Sequence, residues 1–220
     1  MCLHNIALTN HLVKTLAADG STRFVMEVYT DGACAGNGTP HARGGIGVWF
    51  AKDSPLNVSR AVRGPVHTNN VAELQAIEAA LDSLAARGVT HATVYSDSMY
   101  AINAVTLWAP KWAAKGWRTA AGTLVANQEL IAGIIAKLAG SGFRDVTLAY
   151  VRGHAGVEGN EGADALARAA CAAKAAASPA SPAASLASPA SAASPAASLA
   201  SPAFAASPAS FASPASPASV

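Results

Sequence analysis

The spacing of apolar and polar positions changes several times along the chain, and each change marks an element. Residues 24–30 (FVMEVYT) have the β-branched and aromatic density of a strand, which stops at Asp31-Gly32. Residues 44–51 and 58–62 read as two further strands, separated by the turn formers Asp53, Ser54 and Pro55. Three strands in quick succession predict an antiparallel meander. The period then lengthens. From Val71 the apolar residues Leu74, Ile77, Leu81 and Leu84 recur at helical spacing up to Arg87-Gly88, behind a Thr68-Asn69-Asn70 segment able to cap a helix. Glu73 is expected in the first turn, where the helix dipole favours an acid. Residues 93–96 predict a short buried strand ending at Asp97, and a second helix begins near Ser98. A third helix carries Leu130, Ile131, Ile134, Ile135 and Leu138 and stops at Gly140. Residues 146–151 read as the last strand, 153–159 as a loop and 160–174 as an alanine-rich helix carrying Asp164. The order βββαβααβα is α/β, a mixed sheet with helices packed on it.

Composition divides the chain unevenly. Of its 220 residues, 175–220 are Ala, Ser and Pro with a few Leu and Phe and a final Val, contain no charge and hold eight of the twelve prolines. Ser-Pro steps there break any helix that alanine starts, and too little apolar surface is available to offset ordering entropy. A disordered tail is expected, behaving as a passive spacer unless it serves as a partner-binding arm. Alanine also inflates the hydrophobic fraction of 51%; no apolar run reaches the roughly 18–20 residues of a membrane span. Residues 24–174 form one domain of ordinary size, and residues 1–23 a poorly ordered leader without a secretory h-region. Cys2, Cys34 and Cys171 lack metal-site spacing and fit a reducing compartment.

The net charge of +2 does not announce a nucleic-acid binder, but its distribution is informative. Trp108, Lys111, Trp112, Lys115, Trp117 and Arg118 join positive charge to flat aromatic surface within one short acid-free stretch, as an element that tracks phosphates and contacts sugars or bases requires. The acids are placed as suggestively. Asp31 and Asp97 end two strands, and if those strands are neighbours both carboxylates emerge side by side at the strand ends, where open α/β sheets bind ligands. Crowded carboxylates repel unless a cation intervenes, and an all-oxygen donor set favours Mg²⁺ or Mn²⁺ over zinc. Taken singly, each acid is better read as solvated or as capping a helix.

The words around these acids extend the reading. Residues 31–38 (DGACAGNG), Thr68-Asn69-Asn70 followed by Glu73, Tyr95-Ser96-Asp97-Ser98 and residues 151–156 (VRGHAG) together resemble the signature segments of type I ribonucleases H, in family order and spacing over about residues 25–170. The resemblance implies a ribonuclease H-like fold, with a five-stranded mixed sheet of three antiparallel then two parallel strands flanked by helices. It implies hydrolysis of the RNA strand of RNA–DNA hybrids by two Mg²⁺ ions, for which Mn²⁺ can substitute, leaving 5′-phosphate and 3′-hydroxyl ends. Carried over by position, Asp31, Glu73, Asp97 and Asp164 are the metal-binding carboxylates and His154 the loop histidine that carries a proton near the leaving group. Asn37, Asn69 and Asn127 match positions that contact the hybrid, Thr68, Asn70 and the more distant Gln75 are counted with them as substrate-binding, and residues 108–118 resemble the basic protrusion that holds the DNA strand. An amide can read a 2′-hydroxyl without favouring one base. The chain departs from the bacterial pattern at Ala113 and Ala114, where lysines are frequent, and at Val71, where a basic residue is common. The leader is too short for a separate hybrid-binding domain, which favours the bacterial type. The implied partner is the hybrid duplex, with no membrane and no obligate protein partner, for a monomeric cytoplasmic enzyme.

Two other readings share this pattern. An integrase-like or resolvase-like enzyme of the same fold would lack the Thr-Asn-Asn segment, the protrusion and the Gly-His-Ala-Gly loop. A binding module that had lost catalysis would lack a carboxylate, and all four are present.

Overall fold

A computed structural model describes residues 12–16 and 20–176. The expected disorder of 175–220 therefore lies almost wholly outside the described residues, although the last helix continues to Ala176. The strands are β1 (Leu12–Leu16), β2 (Thr22–Ala35), β3 (Arg43–Trp49), β4 (Val58–Ala61), β5 (His91–Ser96) and β6 (Asp145–Tyr150). The helices are α1 (Asn69–Ala85), α2 (Met99–Asn103), α3 (Ala109–Ala113), α4 (Gln128–Gly140) and α5 (Glu158–Ala176), with a π-helical turn over Ala104–Trp108 joining α2 to α3.

The sheet runs β4-β3-β2-β5-β6; β2, β3 and β4 are antiparallel, whereas β5 and β6 lie parallel to β2 and to each other. This is the expected mixed α/β sheet with one strand more. Leu12–Leu16, expected in a poorly ordered leader, pairs antiparallel with the start of β2 from Leu12↔Met26 to Leu16↔Thr22. Its backbone is held by that ladder, although β1 is exposed over most of its length. A short apolar stretch without a clear alternation carries no such signal in sequence. Strand β2 is also longer than expected. It passes Asp31 and continues to Ala35 against β3, while its pairing with β5 ends at Thr30↔Ser96.

Inward positions of β2, β3 and β5 alternate as the pleat demands, and Met26, Val28, Ile46, Val48 and Val94 are buried with Leu74, Ile77, Leu81, Leu84, Ile131 and Ile134 of α1 and α4. Each such side chain contributes about 1.5–3 kcal/mol by leaving water. The other face of β3 receives α5. A Cβ on Gly47 would lie 2.0 Å from the Ala163 carbonyl oxygen, and one on Gly45 2.2 Å from that of Ala167, so only glycines let the helix settle this close. Among the described residues no helix is long and apolar enough to cross a membrane.

Candidate active site

Asp31 and Asp97 are the first residues past the last β2–β5 pair, at the fork where β2 stays with β3 and β5 turns into α2. Glu73 arrives from below. A Cβ on Gly32 would meet the Glu73 backbone nitrogen at 2.3 Å, so the glycine after Asp31 lets β2 lie directly on α1. Thr68 is the N-cap of that helix, its Oγ1 accepting from Val71 N at 3.2 Å. Helix α1 therefore starts at Asn69, and Glu73 falls beyond the first turn in which it was expected. Its position answers to the site and gains little from the dipole, which fades within one turn.

Carboxylate oxygens of Asp31, Glu73 and Asp97 lie within 4.8 Å of one another. Burial, then repulsion from Asp97 and Asp164, pushes the Asp31 carboxyl up to about 6. Burial and the Asp31 and Asp97 charges hold Glu73 well above the usual carboxylate range. Glu73 Oε2 is buried without a hydrogen-bond partner. Crowded hard oxygens, one of them orphaned, fit a divalent cation such as Mg²⁺ or Mn²⁺.

Asp164 stands beside this group. The residue is 6% exposed; its carboxylate forms an ion pair with Arg168 one turn along α5 and lies within 4.8 Å of His154 and Glu161 ligand atoms. His154 is exposed with φ +50°, a left-handed conformation in a tight loop. The preceding Gly153 passes so near Asp97 that a Cβ would lie 2.5 Å from Asp97 Oδ2.

The RNase H family model matches residues 23–172. The chain belongs to the RNase H family. It is 40% identical to Ribonuclease H1 of Rattus norvegicus over 133 residues, which are 60% of this chain and 45% of that protein. Ribonuclease H of Polaromonas sp. (strain JS666) is 40% identical over 145 residues, 65% of this chain and 86% of that one. The chain thus spans under half the length of the mammalian relative, as the 45% coverage shows. Among solved structures, LC9-RNase H1, described as a type 1 RNase H with the type 2 active-site motif, superposes with a TM-score of 0.53 at 31% identity, covering 67% of this chain and 72% of that one.

In this RNase H-family chain the residues expected to meet substrate fall into three groups. Asn37, Thr68, Asn69 and Asn70 form one surface, on which Asn69 N donates to Asn37 Oδ1 at 3.2 Å. Asn127 precedes α4 in the left-handed region (φ +61°), and its Nδ2 donates to Tyr100 Oη at 3.2 Å. Tyr100, Trp108, Trp112 and Trp117 follow as a ladder of rings, with successive centroids 6.0, 5.6 and 6.5 Å apart. These tryptophans are half-buried against the core, while Lys111, Lys115 and Arg118 are exposed; Arg118 Nη1 donates to Gly122 O at 2.7 Å.

Gln75 already has partners within the fold. It is 7% exposed, and its amide accepts from Arg63 N at 2.9 Å and donates to Arg63 O at 3.0 Å, a clasp that uses both ends and holds the β4–α1 connection. One amide hydrogen and one carbonyl lone pair remain beyond this clasp. Sequence reasoning also passed over Asn160, Glu161 and Arg168. They lie four and three residues before Asp164 and four after it, the helical spacing that places side chains on one face, and this was the available signal.

Proposed function

We propose that this chain is an endonuclease that hydrolyses the RNA strand of RNA–DNA hybrids with two divalent cations, leaving 5′-phosphate and 3′-hydroxyl ends. The observation that carries the reading is the meeting of Asp31, Glu73 and Asp97 at the β2–β5 fork, with carboxylate oxygens within 4.8 Å of one another. Family membership and relatives named Ribonuclease H support it. Mg²⁺ or Mn²⁺ bound there supplies the positive charge that activates the attacking water and stabilises the leaving oxygen. Asp31, Glu73 and Asp97 hold that charge, Asp164 adds its carboxylate from α5, and His154 carries a proton at the leaving 3′ oxygen from its exposed loop. Asn37, Asn69, Asn70 and Asn127 read the hybrid through amides that suit 2′-hydroxyls, while Lys111, Lys115 and Arg118 attract the DNA strand. The tryptophans between them are assigned to supporting that basic surface. The catalytic domain is placed at residues 24–174, for which the family match over 23–172 is the support. The reading includes a monomer acting in the cytoplasm on the hybrid alone.

The test is incubation with labelled RNA–DNA hybrid, duplex RNA and duplex DNA in Mg²⁺, Mn²⁺ or EDTA. Internal cutting of the hybrid RNA alone, abolished by EDTA, is expected. Full-rate cutting in EDTA removes the cation mechanism, and efficient degradation of single-stranded RNA removes the substrate assignment.

A further inference from the structure

Asn160 is the third residue of α5 and only 1% exposed, yet it is polar and incompletely bonded. Its Nδ2 is 3.5 Å from Asp97 Oδ2, at the limit of a hydrogen bond. Its Oδ1 is buried without a partner. Leaving a buried acceptor unpaired is unfavourable, and an apolar side chain of similar size would avoid it. Folding therefore does not account for an asparagine here. Its place is fixed from two sides, since Gly159 sits against the Tyr29 ring, where a Cβ would lie 2.2 Å from Cδ2, and Gly153 sits against Asp97. The amide thus stands over Asp97 on the rigid start of the helix that carries Asp164.

We propose that Asn160 is a positioning residue for the cation site: its Nδ2 orients the Asp97 carboxylate toward the cation, and its Oδ1 completes its bonding only when the hydrated cation is present. The inference rests on the reading of Asp31, Glu73 and Asp97 as cation ligands. Groups behind metal ligands set ligand orientation, and their loss commonly weakens affinity by about 10- to 100-fold.

The test titrates Mn²⁺ into full-length protein without nucleic acid, by calorimetry, for the wild type, Asn160→Leu and Asn160→Asp. The leucine removes donor and acceptor. The aspartate keeps the shape but replaces the donor with a second carboxylate oxygen facing Asp97. Wild-type protein is expected to bind, Asn160→Leu to bind about 10- to 100-fold more weakly with an equal or higher Tm in EDTA, and Asn160→Asp to lose the wild-type affinity at unchanged shape. In hybrid cleavage the Mg²⁺ requirement should rise while KM for hybrid stays constant. Wild-type Mn²⁺ affinity in both variants overturns the proposal, as does wild-type affinity in Asn160→Asp alone if the leucine variant does not fold. A wild-type protein that binds no Mn²⁺ overturns the carboxylate reading beneath it.

Discussion

Asp31 gains less than it loses in the folded chain without a cation, because its carboxyl is pushed up to about 6 from an ordinary value near ~3.9. The sign follows from linkage. The folded state holds the proton more tightly, so the Asp31 contribution is fully present below the unfolded value and is lost as pH rises to about 6. Asp31→Asn should therefore raise Tm in EDTA at about pH 7.5 by a few degrees, since ~1 kcal/mol moves the midpoint by roughly 2–4 °C in a domain of this size. The gain should shrink by about pH 4. A lower Tm for Asp31→Asn at neutral pH in EDTA would mark the acid as structural. Asp31→Asn and Asp97→Asn should each abolish Mg²⁺-dependent cleavage. His154 acts later and differently. His154→Ala should lower kcat by roughly 10²-fold with little change in KM, and full kcat across neutral pH would leave it a loop residue only. Asp31, Glu73, Asp97, Asp164 and His154 were picked out in sequence by the resemblance of the words around them, since a lone acid or loop histidine has an ordinary solvated or capping role. For Gln75 a one-turn spacing cannot say whether an amide faces solvent or a neighbouring loop, and here each of its ends meets the Arg63 backbone.

At the scale of elements, close contacts decide where the acids point. Gly47→Ala would place a methyl group 2.0 Å from the Ala163 carbonyl oxygen, which is backbone and cannot swing aside. Helix α5 must move, at a cost of typically ~1–3 kcal/mol for overpacking, and Asp164 moves with it. A lowered Tm together with a raised Mg²⁺ requirement is expected; unchanged values for both would show that α5 tolerates a larger gap. The protrusion makes a separate claim. Lys111 and Lys115 are exposed, and their joint replacement by Ala should raise KM for hybrid at low salt, leave kcat unchanged and flatten the log KM against log salt slope by about one for each lysine that meets a phosphate. An unaltered slope would free these lysines from phosphate contact. The tryptophans were ambiguous in sequence because the same indole serves stacking or packing; the ring ladder from Tyr100 to Trp117 shows three of them packing on one another.

For the whole molecule, the division between domain and tail makes the prediction. Helix α5 runs to Ala176, and the residues after it hold no charge for phosphate. A chain ending at Ala176 should keep the Tm and the short-hybrid cleavage of the full chain within experimental scatter. A large loss of hybrid affinity would assign the Ala/Ser/Pro segment a binding role.

The mixed α/β class and the order of the main elements from β2 onward were determined by the sequence alone, because hydrophobic period is a local property, and the acids were marked by the words around them. Strand β1 was decided only by tertiary structure, since its ladder depends on a partner strand and its own side chains are largely exposed. The fork at Thr30↔Ser96 likewise needed the fold, because these partners are 66 residues apart in the chain and nothing local records that their strands pair. The same holds for Asn160: its type and spacing are in the sequence, but its burial against Asp97 exists only once α5 lies on the sheet.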